Sequence, residues 1–286
     1  MRVVVTGGSG EIGHCVVPQL AQEHEVISFD QRVSTELPCE QIVGDILDLD
    51  ALRAAMKGAH CVIHLAAIRH PMADPADRVF HVNVMGTHRV ADAAVDAGVG
   101  RIVFASSDST FGFVFGNYGC PLPLVEYVPL DANHPTHPSD PYGLSKLVGE
   151  ELLHAMHRRY GVAVTCLRYP WVWHPGDYPA RAEIERNPAN HVGMLWAYID
   201  ARDVAQAFHH AAERVETGFH VIPLSAPDTM VSMATLELVA SYLSANVTVR
   251  ELARFMREPN RTLVDNGPCE TVLGFRPARS WRDECD

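Results

Sequence analysis

The chain has 286 residues, of which 47% are hydrophobic and 20% are charged, a composition typical of a folded globular protein and not of a disordered or repetitive one. Its 23 Lys and Arg residues against 35 Asp and Glu residues give a formal net charge of −12, which disfavours binding to a nucleic-acid backbone or an anionic membrane surface. Small-molecule partners are therefore favoured.

The seven cysteines are odd in number and contain no Cys-x-x-Cys pair, so we expect neither a disulfide framework nor a thiolate zinc site. The first strand-like segment follows Met1-Arg2 directly, with no cleavable apolar segment and no apolar run of membrane length. We therefore expect a cytoplasmic protein in a reducing compartment.

Short apolar runs alternate with helix-like stretches along the chain. The predicted strands are Val3–Thr6, Glu25–Asp30, Gln41–Gly44, Cys61–Ala67, Arg101–Ser107, Val162–Val172 and Phe219–Leu224. The predicted helices are Gly13–Gln22, Ala51–Lys57, Phe80–Ala97, Pro141–Tyr160, Asp200–Ala212 and Met233–Leu243. Apolar runs without polar alternation are typical of parallel strands covered on both faces, so the order predicts an α/β fold with a doubly wound parallel sheet.

Residues 117–141 include six prolines, which predicts a long surface loop without regular structure. Pro141 then opens a helix, with Ser139 or Asp140 as its predicted cap.

A glycine-rich loop follows the first predicted strand and opens the first predicted helix. Glycines in this position permit a tight turn, close approach of the backbone to a pyrophosphate, and close packing of helix on strand. The segment therefore predicts a dinucleotide site, although its glycine spacing differs from G-x-G-x-x-G and a plain strand-to-helix turn is the alternative. The cofactor-binding candidates in it are Gly7, Gly10, Glu11, Ile12 and Gly13.

Acidic residues end the second and third predicted strands. Asp30 lies twenty residues beyond Gly10, where a carboxylate can accept hydrogen bonds from ribose hydroxyls and repel a 2′-phosphate. Arg32 could pair with such a phosphate, and we weigh NAD over NADP. Asp45 and Ile46 could border the adenine, or Asp45 could be a helix cap.

Tyr142 and Lys146 lie four residues apart at the start of a predicted helix, so both project from one face. An adjacent cation favours a phenolate and lowers the pKa of a tyrosine toward the neutral range. The pair could therefore move a proton on and off a substrate hydroxyl, although such pairs are also common on exposed helix surfaces. Ser107 ends the fifth predicted strand and is our candidate for orienting the substrate oxygen; Ser106 and Ser109 could equally satisfy backbone groups.

Together these residues resemble the extended short-chain dehydrogenase/reductases, the NAD-dependent epimerase/dehydratase family, over nearly the whole chain. The resemblance includes the glycine loop, Gly44-Asp45, His64-Leu65-Ala66-Ala67, Asn83-Val84-Met85-Gly86-Thr87, Ser107, the Tyr142/Lys146 pair, Arg168-Tyr169-Pro170 and Tyr198–Ala205. It implies a Rossmann domain over residues 1–170, completed by parts of 194–225, and a small substrate-binding region over 171–286 that is intertwined with it.

The same resemblance implies the catalytic roles. Tyr142 would be the acid/base, Lys146 would bind the nicotinamide ribose and lower the pKa of the tyrosine, and Ser107 would hold the reacting hydroxyl. Family members commonly form homodimers through the helices that carry Asn83 and Tyr142.

The resemblance further implies which residues surround the cofactor. Leu65, Ala66 and Ala67 would line it, Asn83 would brace the site, and Pro170 would pass close to the carboxamide.

Two departures from the family pattern narrow the expected reaction. The 4,6-dehydratases carry Thr-Asp-Glu where this chain has Ser107-Asp108-Ser109, and Ser109 cannot replace a glutamate in proton transfer. Nucleotide-sugar epimerases carry an insert with a diphosphate-binding arginine, whereas only 27 residues separate Pro170 from Tyr198 here and Met194–Ala197 supplies no arginine.

The compact C-terminal part instead resembles uronate dehydrogenases and related sugar dehydrogenases. In those enzymes Asn-His follows the serine, and the added charge of Asp108 favours a neutral, hydroxyl-rich substrate over a carboxylate. The candidate substrate contacts are Arg69, Asp108, Ser109, Trp173 and His191, with His70, His174, Arg181 and Arg186 nearby in sequence.

The sequence therefore predicts an NAD-dependent oxidoreductase that acts on a secondary alcohol of a sugar-like substrate. An epimerase with the same residues and a non-catalytic NAD-binding regulator are the alternatives. The sixteen histidines include three close groupings, His134/His137, His154/His157 and His209/His210, but none has a cysteine or carboxylate at a recognised ligand spacing, and no metal site is expected. Trp281-Arg282 is predicted to pack structurally.

Overall fold

The computed structural model describes residues 1–115, 124–214 and 217–284. Within these ranges the strands are β1 Arg2–Thr6, β2 Glu25–Asp30, β3 Glu40–Val43, β4 Cys61–His64, β5 Arg101–Ala105, β6 Tyr127–Val128, β7 Ala163–Arg168, β8 Trp171–Trp173, β9 Tyr198–Asp200, β10 Phe219–Pro223 and β11 Thr248–Val249. The helices are α1 Gly13–Leu20, α2 Leu49–Ala55, α3 Ala76–Asp96, α4 Pro141–Tyr160, α5 Arg181–Arg186, α6 Ala201–Glu213, α7 Thr235–Tyr242, α8 Leu252–Arg257, α9 Gly267–Leu273 and α10 Trp281–Glu284.

Seven strands form one sheet in the order β10-β7-β5-β4-β1-β2-β3. The pairs from β3 to β7 are parallel, and Thr6 at the end of β1 lies beside His64 at the end of β4. The strand order reverses between β1 and β4, which makes their carboxyl ends the ligand-binding crevice of this architecture. The predicted doubly wound, Rossmann-like α/β fold is confirmed.

The central strands are buried on both faces. Consecutive residues Val3, Val4 and Val5 all have zero exposure, as the lack of polar alternation predicts. Val4 belongs to a core cluster that joins the sheet to α2, α3 and α4.

The chain divides into two compact units, each made of three stretches. The first consists of residues 1–106, 141–167 and 204–221, and the second of residues 107–140, 168–203 and 222–286. Residues 107–140, which the sequence assigns to the first domain, fall in the second unit.

The second unit has its own aromatic core. Trp173, Trp196, Tyr198 and Trp281 are among its buried residues, and the Trp281 indole donates to the Thr229 carbonyl at 2.8 Å. The predicted packing role of Trp281 is confirmed. Two small parallel sheets, β8-β9 and β11-β6, complete this unit.

Several predicted strands end earlier than expected. The strand predicted over Cys61–Ala67 stops at His64, and that predicted over Arg101–Ser107 stops at Ala105. The segment Val162–Val172 forms two strands, β7 and β8, because Pro170 has no N–H to donate to a ladder.

Two predicted helices, Ala51–Lys57 and Phe80–Ala97, start earlier than expected. Asp48 caps α2, because its side chain accepts from the Asp50 and Ala51 amides, and α3 begins directly after Pro75. The proline-rich segment contains the short strand β6, while residues 117–123 of it lie outside the described residues. Among the helices of the described ranges, none combines the length and apolarity that crossing a membrane requires.

Candidate functional site

The glycine loop after β1 has no space for a side chain at Gly7 or Gly13. A Cβ on Gly7 would lie 2.6 Å from the Ala66 amide nitrogen, and Gly7 has a φ of +77°. A Cβ on Gly13 would lie 2.1 Å from the Gly8 carbonyl oxygen. At Gly10 the tightest neighbour is the Gly7 carbonyl oxygen, at 3.2 Å. The packing of the fold therefore requires glycine at positions 7 and 13, whether or not a cofactor binds.

The carboxylate of Asp30 is bonded to the glycine loop. It accepts from the Ser9 amide at 3.1 Å and from the Arg32 amide at 3.1 Å, and the Ser9 hydroxyl donates to the Arg32 carbonyl. The end of β2 and the loop after β1 thus hold each other in place.

Asp45 does not cap α2, which has Asp48 as its N-cap. Its carboxylate accepts from the Leu47 amide at 2.8 Å and from the Gln31 side chain at 3.0 Å. Its neighbour Ile46 is buried against Gly86, where a Cβ would lie 2.3 Å from the Ile46 Cδ1.

Asn83 links three segments of the first unit. Its amide bonds both the N–H and the C=O of Ile68, at 2.8 and 2.9 Å, and donates to the Ser145 hydroxyl at 3.0 Å. Ser145 in turn donates to the Tyr142 carbonyl at 2.7 Å. Asn83 therefore fixes both the segment that follows Leu65, Ala66 and Ala67 and the first turn of α4.

Lys146 is buried at the carboxyl end of β5. Its Nζ donates to the Ala105 carbonyl at 2.8 Å and lies 5.6 Å from the centroid of the Tyr142 ring. Burial lowers the pKa of Lys146 to about 8, a shift that the Glu150 carboxylate partly opposes. The side chain therefore still carries its charge at neutral pH.

Three residues around Lys146 have no role predicted from the sequence. Glu150 is 2% exposed and accepts from the Ser106 hydroxyl at 2.5 Å, and the Phe104 ring centroid lies 5.0 Å from the lysine Nζ. His64 is bonded to Thr6 at 2.7 Å and to Thr87 at 3.1 Å, and burial together with the Lys146 charge lowers its pKa to about 3. A neutral His64 lies beside the lysine.

Ser107, Asp108 and Ser109 lie in the second unit, at the start of a short 3₁₀ helix. The Ser107 hydroxyl accepts from the Ser109 amide and hydroxyl at 3.1 and 2.9 Å and donates to the Asp108 carboxylate at 3.1 Å. Burial raises the pKa of Asp108 to about 7, against the lowering effect of these hydrogen bonds. Ser107 thus follows β5 as a helix cap and is not part of the strand.

Arg69, Trp173 and His191, the remaining predicted substrate contacts, differ in their surroundings. Arg69 forms an ion pair with Glu11, and both side chains are more than half exposed. Trp173 is 1% exposed, and its ring lies 4.4 Å from that of Tyr198, although its Nε1 has no hydrogen-bond partner among the described residues. His191 lies on a 3₁₀ helix, where burial lowers its pKa.

The donors of the first unit fit a dinucleotide. α1 starts at Gly13 without any side-chain cap and with no acidic residue in its first turn, so its N-terminal amides suit a phosphate. Asp30 ends the neighbouring strand, where ribose hydroxyls are bound in this architecture. The five cofactor-binding candidates of the loop, and Leu65, Ala66 and Ala67 after β4, belong to the same carboxyl edge of the sheet.

Comparison with known proteins agrees with this geometry. Residues 3–223 match the model of the NAD dependent epimerase/dehydratase family. The chain is 30% identical to an L-arabinose 1-dehydrogenase (NAD(P)(+)) of Haloferax volcanii over 92% of this chain and 99% of that protein. It is 29% identical to a uronate dehydrogenase of Pseudomonas putida over 58% of this chain and 59% of that protein.

Solved structures share the fold. A short-chain dehydrogenase/reductase superfamily protein of Agrobacterium tumefaciens with bound NAD superposes with a TM-score of 0.74 at 24% identity, over 99% of this chain and 94% of that one. The match over residues 3–223 agrees with the glycine loop and the sheet order. The chain therefore belongs to the NAD-dependent epimerase/dehydratase family and is an NAD-dependent enzyme.

Proposed function

We propose that the enzyme oxidises a secondary alcohol of a sugar or sugar-derived substrate, with Tyr142 as the acid/base. The observation that carries this proposal is the position of Lys146, whose buried Nζ lies at the end of β5 and 5.6 Å from the Tyr142 ring. The similarity to an L-arabinose 1-dehydrogenase over 99% of that protein supports the sugar assignment.

The proposed chemistry divides between three side chains. Tyr142, as phenolate, takes the proton of the substrate hydroxyl, and the Lys146 ammonium stabilises the negative charge on the phenolate oxygen. Ser107 donates to the substrate oxygen and keeps it in line for proton transfer. The glycine loop and Asp30 would hold NAD, which when bound would supply the acceptor for the hydride on the carbon that carries this hydroxyl, so that the alcohol would become a carbonyl and NADH would form.

A neutral sugar suits the residues that follow Ser107. Asp108 has a pKa raised to about 7, so near neutral pH it can donate as well as accept hydrogen bonds to hydroxyl groups. Met194–Ala197 offers no arginine for a diphosphate. We therefore propose free sugars as substrates, with Arg69, Ser109, Trp173 and His191 as further candidate contacts.

A panel of sugars with NAD tests this function. We expect neutral aldoses to give one NADH for each sugar oxidised, measured by its absorbance. Nucleoside diphosphate sugars should give none. Interconversion of isomers without net NADH would contradict oxidation and favour the epimerase. NAD binding without turnover of any sugar would favour a regulator.

We propose that Asp30 makes the enzyme prefer NAD to NADP, because its charge repels a 2′-phosphate. Replacing Asp30 with asparagine keeps the side-chain shape and is expected to narrow the ratio of kcat/KM for NAD over NADP about tenfold, the effect of roughly one charge pair. Asp48→Asn is the matched control, because asparagine caps a helix as well as aspartate does. An unchanged ratio in the Asp30 variant would contradict this role of Asp30. It would indicate that Arg32 allows the enzyme to bind either cofactor.

We also propose a cytoplasmic homodimer that forms through α3 and α4. Met85 on α3 and Leu144 on α4 are 36% and 39% exposed, which leaves apolar surface on both helices. Light scattering of the purified protein should give twice the mass of the chain; the mass of one chain would contradict the dimer.

A further inference from the structure

Two histidines and a glutamate that are distant in sequence form a cluster in the first unit. His24 lies in the turn between α1 and β2, whereas His209 and Glu213 are four residues apart on α6. His24 Nε2 lies 3.3 Å from one Glu213 oxygen, and His209 Nε2 lies 3.3 Å from the other. The two imidazole rings are stacked with centroids 5.5 Å apart.

The histidines are buried without a full set of hydrogen bonds. Their side chains are 7% and 8% exposed. Within the described residues, neither ring nitrogen of His24 has a hydrogen-bond partner, and Nδ1 of His209 has none. Buried polar atoms are normally paired, so the unpaired Nε2 of His24, which faces a Glu213 oxygen, indicates a missing ligand.

The contact between His24 and Glu213 fits a shared metal better than a hydrogen bond. The 3.3 Å contact from His24 Nε2 to Glu213 does not have hydrogen-bond geometry. Ligands about 2.1 Å from a tetrahedral zinc are about 3.4 Å from one another. The two 3.3 Å contacts end on different oxygens of Glu213, and the ligand atoms of all three residues lie within 4.8 Å of each other. Small side-chain rotations therefore bring the two remaining edges to this length.

We propose that His24, His209 and Glu213 bind one zinc ion. Two imidazoles and a carboxylate are a known zinc donor set, which leaves a fourth position for water. Glu213 is 41% exposed, so solvent can reach that position.

The zinc would lie apart from the site of the proposed oxidation. His24 directly precedes β2, so the cluster lies at the amino end of a strand whose carboxyl end carries Asp30. The zinc would join the α1–β2 turn to the end of α6, at the opposite edge of the sheet from the glycine loop. Its role would be to stabilise the first unit, independently of the proposed oxidation.

Zinc titration of the untagged full chain tests the proposal; a polyhistidine tag is omitted because it would bind zinc itself. Metal is removed with a chelator, and zinc is returned in competition with a chromophoric zinc indicator. We expect one equivalent to bind and the Tm to rise, because a ligand that binds only the folded state stabilises it. Co²⁺ in the same site should give the visible absorption of a four- or five-coordinate ion.

Glu213→Gln is the decisive variant, because its side chain is partly exposed and its removal leaves the buried rings in place. Zinc affinity should fall at least about tenfold, with NAD binding and turnover unchanged. Glu23→Gln removes an exposed carboxylate next to His24 and should bind zinc as the parent does. The proposal is wrong if the parent binds no stoichiometric zinc, if Glu213→Gln binds as tightly as the parent, or if both variants weaken binding equally.

Discussion

Replacing Tyr142 with phenylalanine is expected to lower turnover by about 10²–10⁴-fold, the usual contribution of a positioned acid/base. The ring is kept, so its contact with Lys146 and the fold of α4 should survive, and NAD affinity should stay within a few-fold of the parent. Steady-state kinetics with the best sugar of the panel and calorimetric titration with NAD measure the two quantities separately.

Tyr160→Phe is the matched control, because this tyrosine ends the same helix and is 46% exposed. It should leave kcat and KM unchanged. Full turnover of Tyr142→Phe would show that another group moves the proton. A loss of both turnover and NAD binding would instead indicate damage to the cofactor site.

Replacing Gly7 with alanine is expected to lower the free energy of unfolding by about 2–5 kcal/mol. About 1–2 kcal/mol comes from a side chain in the left-handed region, and about 1–3 kcal/mol from overpacking. The added Cβ would lie 2.6 and 2.7 Å from backbone atoms of Ala66, which cannot move without disturbing the segment after β4. NAD binding should be lost as well. Urea unfolding and calorimetric titration measure both effects.

Gly98→Ala separates the two causes. Gly98 has a φ of +72°, close to that of Gly7, but no atom lies within 4 Å of its added Cβ. This variant should show only the conformational cost, about 1–2 kcal/mol, with NAD binding intact. Equal destabilisation of the two variants would contradict the close approach of the glycine loop to Ala66.

The fold was predictable because its strands are apolar on both faces. Val3, Val4 and Val5 have no polar alternation, and each is fully buried. The ends of the elements were less predictable. A run of apolar residues does not show where ladder hydrogen bonds stop, so Leu65 and Ser107 were assigned to strands that end before them.

Site residues that belong to a local sequence motif were predictable, as in the glycine loop and the Tyr142/Lys146 pair. Residues that act through distant partners were not. His64 is bonded to Thr6 and Thr87, and nothing in their spacing predicts that contact. The His24/His209/Glu213 cluster was missed for the same reason, because only the fold brings a turn near residue 24 to the end of α6.

The second unit is built from three stretches that are separated in sequence, and this determines when it can fold during synthesis. Trp281 lies in the core of that unit, where its amide donates to the Tyr198 hydroxyl at 2.8 Å and its indole to Thr229. A ribosome synthesises Trp173, Trp196 and Tyr198 long before it reaches residue 281. During translation the core around these aromatic side chains is therefore incomplete. The unit can finish its packing only after residue 281 has left the exit tunnel.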